Sequence, residues 1–385
     1  MQYIDYIISY YGWQGCALAA TILVLLCVQL WYYLVTYGRI SRFRNSRRKK
    51  KLTSEPPVSI IVPMFSENYT YIDESLPLLL GQQYATTFEV VIVYIGSNSD
   101  FYEELTRKRL LYPNLTVTKI EFNQRFPISV KMALNVGIKA AHNEHLLITT
   151  TNATPASDQW LAMMGKAFMR GDIVLGYTTL EHINGLQNYL MRASRLQTSL
   201  YWLSAAVDSH TYRGSRNNFG FTKETYFKAK GFNFLNMNIG EDDLFIQKIA
   251  RHNNVSVVLI PKGSMIEHPW GGLKWWIAQL RRYGSAYKYY PRSVRNTIEW
   301  DLGSQVLFFI AILTALIFMP LEFKAAALLL FIVRYIVVAL RIKSIAKRVG
   351  ERGMAMRYAI FDLFNPLLML GVRMALLRKD ETVWR

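Results

Sequence analysis

Four long apolar runs set the strongest limit on how this sequence can fold. They span residues 16–37, 303–321, 325–342 and 358–377. Each is close to the ~20 residues that a helix needs to cross the hydrocarbon core of a bilayer. Because the sequence between the first two runs is mixed in polarity, it predicts one globular domain held between membrane helices. The predicted divisions are an anchor at 1–38, a linker at 39–55, a domain at 56–295 and a bundle at 296–385.

A basic cluster at residues 39–51 follows the first apolar run and predicts the orientation of the chain. Positive residues beside a span are held in the cytoplasm, so we expect the globular domain at the cytoplasmic face of the inner membrane. The first run differs from a cleaved signal peptide, because residues 1–15 contain no Lys or Arg and no small-residue cleavage pattern follows. We attribute the net charge of +18 to attraction by anionic lipid rather than by nucleic acid.

Composition and motif searches exclude several kinds of chemistry. The two cysteines, Cys16 and Cys27, both lie in the first apolar run, which excludes a disulfide framework and a thiolate metal site. The sequence has no Gly-rich phosphate loop and no Cys/His metal spacing. These absences argue against a kinase, a dehydrogenase and a zinc enzyme.

Short β-branched runs alternate with helix-like runs through the middle of the chain. The predicted strands are residues 57–63, 89–94, 115–122, 145–150 and 173–177, and the predicted helices are residues 71–83, 100–111, 128–141 and 157–169. This alternation predicts an α/β fold with a doubly wound, mostly parallel sheet. Ligands of such sheets lie beyond the carboxyl ends of the strands, so the site should be lined by loops 64–69, 95–99 and 149–155.

Three consecutive carboxylates, Glu241, Asp242 and Asp243, follow Gly240 and precede an apolar, helix-like run. One interpretation is a helix N-terminus, whose dipole and free N–H groups stabilise acidic side chains. The other is a catalytic base. A basic and aromatic cluster at residues 275–283 favours the second, because a carboxylate base and a cationic clamp together suit transfer from a diphosphate donor.

Seven short motifs follow one another between about residues 56 and 290. They are Pro57-Val-Ser-Ile-Ile-Val-Pro63 with Ser66-Glu67-Asn68, Gly96-Ser97, Lys131-Met-Ala-Leu-Asn-Val-Gly137, Pro155 with Trp160-Leu-Ala-Met-Met164, Gly214-Ser-Arg216-Asn217, Gly240-Glu241-Asp242-Asp243-Leu-Phe245 and Gln279-Leu-Arg281-Arg282-Tyr283. In this order they resemble the motifs of membrane-bound family 2 glycosyltransferases, which have the nucleotide-sugar-binding fold called GT-A and share a layout with hyaluronan and cellulose synthases. No single motif is specific, but the seven in order are.

The resemblance implies an inverting glycosyltransferase in which Asp242 is the general base, with Glu241 and Asp243 beside it. It implies a donor site for a nucleotide sugar made of Ser66, Glu67, Gly96, Lys131, Asn152, Arg216, Asn217, Gln279, Arg281 and Arg282. It also implies an acceptor platform made of Trp275, Trp276 and Tyr283. The alternatives are interfacial anchors for the aromatic residues and a solvated or lipid-facing helix side for the cations. The implied acceptor is a membrane lipid or a growing glycan, and the resemblance also leaves room for partner membrane proteins.

Two departures from the resemblance bear on the donor site. Tyr94-Ile95 stands where the family has acidic residues for the nucleotide base, and Thr150-Thr151-Asn152 stands where it has the Asp-x-Asp that holds Mg²⁺ or Mn²⁺. Carboxylates are the usual ligands of these ions, and hydroxyls and an amide replace them poorly. Two functional classes follow: a transferase with a weakened metal site or with arginine in place of metal, and an inactive partner or regulator of a glycan-synthesis complex.

Ionisable residues interrupt the C-terminal apolar runs at Arg334 and Asp362. Charged groups at membrane depth are costly and usually face a partner or a cavity. We therefore expect these two side chains to approach each other within the bundle.

Overall fold

The computed structural model describes residues 2–44, 55–121, 129–235, 240–355 and 357–378. Most of the predicted basic linker lies outside the described residues. So do the predicted strand end at Phe122 and the predicted helix start at Ile128.

The described part of the globular domain contains ten strands, which form two sheets. They are β1 (Val58–Met64), β2 (Phe88–Ile95), β3 (Leu115–Ile120), β4 (His145–Ile148), β5 (Ala153–Pro155), β6 (Ile173–Gly176), β7 (Thr178–Leu180), β8 (Phe219–Thr222), β9 (Val255–Val258) and β10 (Met265–Glu267). The central sheet has the order β3-β2-β1-β4-β8-β6-β9, and the small sheet has the order β5-β10-β7.

The central sheet is mostly parallel, as the sequence predicts. Strands β3, β2, β1 and β4 pair in parallel, and β6 pairs in parallel with β9. Strand β8 is antiparallel to both of its neighbours, β4 and β6, and no local pattern predicted it. Because β8 runs against β4, the residues that enter β8 lie beside the residues that leave β4.

Thirteen α-helices accompany the sheets among the described residues. They are α1 (Gln2–Trp31), α2 (Gly38–Arg42), α3 (Leu76–Leu80), α4 (Ser99–Arg107), α5 (Val130–Ala140), α6 (Trp160–Ala167), α7 (Leu186–Val207), α8 (Lys223–Lys228), α9 (Leu244–Ile249), α10 (Gly272–Ala286), α11 (Arg292–Phe318), α12 (Leu321–Val349) and α13 (Arg357–Arg378). Side chains set some of the starts: Asn98 accepts a hydrogen bond from the Phe101 N–H at α4, and Ser129 does the same for Met132 at α5.

Both faces of the central sheet are covered, as expected for a sheet of parallel strands. Along β1, Val58, Ile60 and Val62 pack into one apolar cluster with residues of α3 and α6. Ile61 faces the other side and packs into a cluster that includes residues of α5 and α7. All four side chains are fully buried. The carboxyl ends of the strands are thereby held in fixed positions.

Four helical segments among the described residues are long and apolar enough to cross a membrane. Their candidate spans are Tyr10–Arg42, Arg292–Phe318, Leu321–Val349 and Arg357–Leu376. The four predicted runs fall within these helices or overlap them. Gly12 departs from helical geometry with a φ of +68°, so α1 is kinked there.

The long apolar helices share a buried polar network. Arg334 donates a 2.7 Å hydrogen bond to Asp362 and a 2.8 Å hydrogen bond to the Gln29 side chain, and Tyr33 donates a 3.0 Å hydrogen bond to Asp362. The predicted approach of Arg334 and Asp362 is confirmed. The Arg334 side chain is 0% exposed, so its charge depends on these partners.

The predicted helix at residues 71–83 is present from Tyr71 onward and ends at Leu80 rather than at Gln83. The structure has a π-helical turn at Tyr71–Ser75 followed by α3. Pro77 lies in the first turn of α3, where its missing N–H is not needed. Ser75 and Leu76 both have helical backbone angles, so the helix continues from the π-helical turn into α3 without a break.

Candidate active site

The acidic turn, defined as Glu241, Asp242 and Asp243, lies directly before α9. Gly240 has a φ of +116°, a conformation that glycine adopts without strain. The Asp243 carboxylate accepts a 2.6 Å hydrogen bond from the Leu244 N–H as the N-cap of α9. The helix N-terminus considered above is therefore present, and it leaves Glu241 and Asp242 outside the helix. All three side chains are at most 2% exposed.

Glu241 is compensated by two guanidinium groups. Arg282 of α10 donates a short hydrogen bond to its Oε1, and the Arg216 Nε lies 3.8 Å from the same atom. Burial acts to raise the pKa of Glu241, but Arg282 and Arg216 outweigh it and hold the pKa below its usual value. Glu241 is therefore the anionic member of the acidic turn at neutral pH.

Asp242 lies beside Glu241 and has weaker partners. Its Oδ1 is 3.9 Å from the Arg282 guanidinium, and the Tyr283 hydroxyl is 3.5 Å from its Oδ2. Burial and the charge of Glu241 raise the pKa of Asp242 above its usual value. A carboxylate with a raised pKa is a stronger base once it is deprotonated, which is the property that proton abstraction requires.

Asp243 is held by Tyr290, which donates a 2.9 Å hydrogen bond to Oδ2. Burial and the neighbouring Asp242 raise the pKa of Asp243 to about 7. The three carboxyl groups of the acidic turn thus differ in pKa, with Glu241 ionised and Asp243 partly protonated at neutral pH.

Arg213 adds a third guanidinium to this cluster. It stacks on the Tyr283 ring at 3.4 Å from the ring centroid and is 8% exposed. The backbone reinforces the contact, because the Gly214 N–H donates a 2.7 Å hydrogen bond to the Asp242 carbonyl. The loop that carries Arg213 and Arg216 is therefore attached directly to the acidic turn.

Thr150 and Asn152 follow β4 and meet Asn217, which precedes β8. The Thr150 hydroxyl donates to the Asn217 carboxamide oxygen at 2.8 Å and lies in short contact with Asn152 Oδ1. The antiparallel pairing of Ile148 with Phe219 brings these residues together. The predicted donor residues Asn152, Arg216 and Asn217 thus lie next to one another, while Thr151 makes no described side-chain contact with them.

Glu267 at the end of β10 completes a cluster that we call the Thr150 layer, made of Thr150, Asn152, Asn217 and Glu267. The β5–β10 pairing aligns it with Ala153, and its Oε1 accepts a 3.1 Å hydrogen bond from the Asn152 side chain. Arg195 of α7 donates a 2.5 Å hydrogen bond to Oε2. Burial acts to raise the pKa of Glu267, but Arg195 brings it below its usual value. Glu267 is therefore an ionised group inside a buried ion pair.

The loops after β1 and β2 hold Ser66, Glu67 and Gly96 at the carboxyl ends of these strands. Glu67 accepts a 2.9 Å hydrogen bond from the Tyr94 hydroxyl. A Cβ at Gly96 would lie 2.3 Å from that hydroxyl, so a larger residue there would force the Tyr94 side chain to move. Ser66 is exposed. These three residues lie at the predicted edge of the sheet, and no contact described here joins them to the acidic turn.

Lys131 is buried on α5 rather than solvated. Its ammonium group donates a 2.7 Å hydrogen bond to the Leu235 carbonyl, and burial holds its pKa below the usual value. Leu235 lies in the segment that leads to the acidic turn. Lys131 is therefore attached to this segment.

The remaining predicted residues lie on α10. Trp276 is 3% exposed, and its ring faces the Arg195 guanidinium at 5.4 Å, so in this arrangement it does not offer an open surface. Trp275 and Gln279 are half-buried, and the Gln279 side chain makes no hydrogen bond with another described residue. Arg281 has a buried Nε without a hydrogen-bond partner among the described residues. Their proposed roles stay predictions.

Sequence reasoning missed Arg195, Arg213, Glu267 and Tyr290. Arg213 directly precedes the Gly214-Ser-Arg216-Asn217 motif, and this position was the only feature of the sequence that could have indicated its role. The other three reach the site through α7, through the β5–β10 pairing and through the turn after α10. These are long-range arrangements that no local sequence pattern contains.

No protein-family model and no curated protein matches the sequence. Among solved structures, the chain is similar to the mannosyltransferase PcManGT from Pyrobaculum calidifontis in complex with GDP-Man and Mn²⁺, with a TM-score of 0.57 and 19% identity over 91% of this chain and 99% of that chain. It also matches S. aureus TarS 1-349, with a TM-score of 0.40 and 18% identity over 83% of this chain and 92% of that chain. The first similarity shows the fold. The chain has a glycosyltransferase fold.

The donor atoms of the Thr150 layer do not fit a dedicated metal site. Its oxygens come from hydroxyl and amide groups, and its one carboxylate, Glu267, is bound to Arg195. Within the described parts of the chain, no group of three or more His, Cys, Asp or Glu side chains is arranged to hold a metal ion. Mg²⁺ and Mn²⁺ are usually held by at least one carboxylate as well as substrate phosphates.

Proposed function

We propose that this chain is an inverting glycosyltransferase with a family 2, GT-A type of domain, which transfers a sugar from a nucleoside diphosphate donor to a lipid-linked or polysaccharide acceptor. The observation that carries the proposal is the acidic turn, whose three buried carboxylates face Arg282, Arg216 and Arg213. A merely structural helix start needs one capping carboxylate, and Asp243 supplies it. Two further buried carboxylates with cationic partners call for a chemical role.

The proposed reaction uses Asp242 as the general base. Asp242 takes the proton from an acceptor hydroxyl, and the oxygen attacks the anomeric carbon of the donor sugar from the face opposite the diphosphate. The bond from this carbon to the diphosphate oxygen breaks, and its electron pair leaves with the nucleoside diphosphate. One displacement inverts the configuration at the sugar carbon. General-base assistance of this kind is worth about 10² to 10⁴-fold in rate.

The guanidinium groups around the acidic turn support the second half of this reaction. Negative charge develops on the departing diphosphate. Arg282 and Arg216 both contact Glu241, and Arg216 directly precedes Asn217 of the Thr150 layer. A guanidinium presents a planar fork of donors that suits phosphate oxygens. The same groups hold Glu241 ionised, and its charge in turn keeps Asp242 basic.

The four apolar helices support a membrane location for the reaction. Arg39, Arg42 and Arg44 end the first candidate span or follow it. By the bias of positive residues towards the cytoplasm, the globular domain belongs on that side of the inner membrane. An acceptor embedded in the membrane, or a glycan held beside it, would then meet Asp242 at the inner face.

A second candidate is an inactive partner or regulator of a glycan-synthesis complex. The neutral Thr150 and Asn152 favour it, because they remove charge from the position where the family holds its donor. The retained acidic turn and its arginines favour the active enzyme.

Nucleotide binding and turnover of the detergent-purified chain separate these candidates. We expect UDP or GDP to bind, and we expect product from the matching nucleotide sugar to disappear in Asp242→Asn. Asp172→Asn is the matched control, because Asp172 is exposed at the start of β6, away from the carboxyl ends of the parallel strands. Binding of neither nucleotide would favour the inactive partner.

A further inference from the structure

The Thr150 layer has little capacity to attract a divalent ion. Thr150 donates to Asn217 at 2.8 Å, and Asn152 donates to Glu267 at 3.1 Å, so its hydroxyl and amide groups already bind one another. None of them carries charge. A divalent ion would have to break this network and be held by neutral oxygens alone.

The one carboxylate of the layer is already neutralised. Glu267 and Arg195 form an ion pair at 2.5 Å, and their side chains are 7% and 9% exposed. Removing one partner of such a buried pair leaves the other charge uncompensated, which is strongly unfavourable. Glu267 is therefore not free to coordinate a metal while Arg195 remains.

Arg216 stands between the layer and the acidic turn and is poorly compensated. It directly precedes Asn217, its closest ion pair is the 3.8 Å contact with Glu241, and its guanidinium makes no hydrogen bond with any described residue. Burial and the nearby Arg282 lower its pKa, whereas the pKa values of Arg195 and Arg282 are raised. Its side chain is 27% exposed, so a ligand can reach it.

We propose that Arg216 takes the place of the divalent ion and binds the donor diphosphate directly, so that donor binding does not depend on metal. This inference rests on the proposed function and concerns the same site. A guanidinium carries a permanent charge and binds phosphate oxygens through two parallel hydrogen bonds. The diphosphate then compensates the charge of Arg216 and accepts hydrogen bonds from its unpaired N–H groups.

The first test is calorimetric titration of UDP and GDP into the detergent-purified full chain, in EDTA and in Mn²⁺. We expect the dissociation constant of the nucleotide that binds to change by less than about twofold between the two buffers, since no metal bridge is made or lost. Tightening by tenfold or more in Mn²⁺ would overturn the inference and leave the proposed function intact. Absence of binding in both buffers would overturn both.

The second test uses Arg216→Gln. This change should weaken binding of the nucleoside diphosphate about tenfold in EDTA, because a charge-assisted pair of hydrogen bonds is lost, and should leave binding of the uncharged nucleoside unchanged. Arg216→Lys keeps the charge but not the planar fork of donors. Its affinity for the nucleoside diphosphate should lie between that of the parent protein and that of Arg216→Gln. Arg107→Gln, on the exposed side of α4, is the matched control. Equal weakening for nucleoside and nucleotide, or unchanged binding of both, would overturn the role of Arg216.

Discussion

The acidic turn and the bundle of long apolar helices both bury carboxylates, but the partners that compensate these carboxylates differ. In the bundle, Asp362 has a direct ion pair with Arg334 and a hydrogen bond from Tyr33, and Asp301 accepts hydrogen bonds from Tyr37 and Tyr201 at 2.6 and 2.9 Å. The bundle carboxylates lie on separate helices, each with its own donors. Their partners connect α1, α11, α12 and α13 to α7 of the globular domain.

In the acidic turn, three carboxylates follow one another along the chain and share their cations. Glu241 takes the close contact with Arg282, Asp242 keeps a 3.9 Å contact with the same group, and Asp243 relies on Tyr290 and the Leu244 N–H. Adjacent like charges in a buried site raise one another's pKa. If the proposed function holds, the bundle carboxylates serve stability, whereas those of the acidic turn serve chemistry at a cost in stability.

The largest effect is expected from Asp242→Asn. Turnover should fall by about 10² to 10⁴-fold, because the amide cannot accept the acceptor proton. The melting temperature should not fall, since the change removes a charge from a crowded, buried group. Asp362→Asn is the matched change in the bundle and should reverse the pattern, with a lower melting temperature and unchanged turnover per folded molecule. Turnover and melting temperature, measured for both variants, test whether Asp242 serves chemistry and Asp362 serves stability.

The next largest effect is expected from Arg334→Leu. Removal of one partner of a buried ion pair leaves Asp362 uncompensated and should lower the free energy of unfolding by about 3 to 5 kcal/mol. The double change Arg334→Leu with Asp362→Leu should recover much of the loss, because no buried charge remains. Thermal melting in detergent measures both. A single variant as stable as the parent protein would contradict the stabilising role of the pair.

Features of the fold and of the site that depend on residues close together in the sequence could be predicted. Those that depend on contacts between distant residues could not. The apolar runs, the β1 to β4 strands and the start of α9 depend on neighbouring residues, and the approach of Arg334 and Asp362 followed from the cost of charge in a membrane. The contacts of Thr150 with Asn217 and of Asn152 with Glu267 depend on β8 running against β4 and on β10 reaching β5. Short strands of this kind carry too few residues to show a pattern.

A smaller effect concerns pH. The pKa of Asp243 is about 7 in the folded protein and near 3.8 for an ordinary carboxyl group, so the folded state retains a proton that the unfolded state loses. The resulting stability is fully present below about pH 4 and is lost as pH rises through about 7. Between pH 6 and 8 the loss should be about 1 kcal/mol. Between pH 6 and 8, the melting temperature of Asp243→Asn should depend less on pH than that of the parent protein. Equal dependence of the two melting temperatures on pH would count against the raised pKa of Asp243.

The smallest effect is expected from a matched pair of tyrosines that donate 2.9 Å hydrogen bonds in the two regions, Tyr290 to Asp243 and Tyr201 to Asp301. Tyr290→Phe and Tyr201→Phe should each cost about 0.5 to 1.5 kcal/mol of stability in acid solution. Their pH dependence should differ. The Tyr290 hydrogen bond lowers the pKa of Asp243, so its loss should raise that pKa further and move the pH-dependent loss of stability to higher pH. Tyr201→Phe should leave that midpoint unchanged, because Asp301 is a different group that keeps Tyr37 as a donor. A common shift in both variants would mean that the acidic turn and the bundle are coupled, and the division between them would then have to be abandoned.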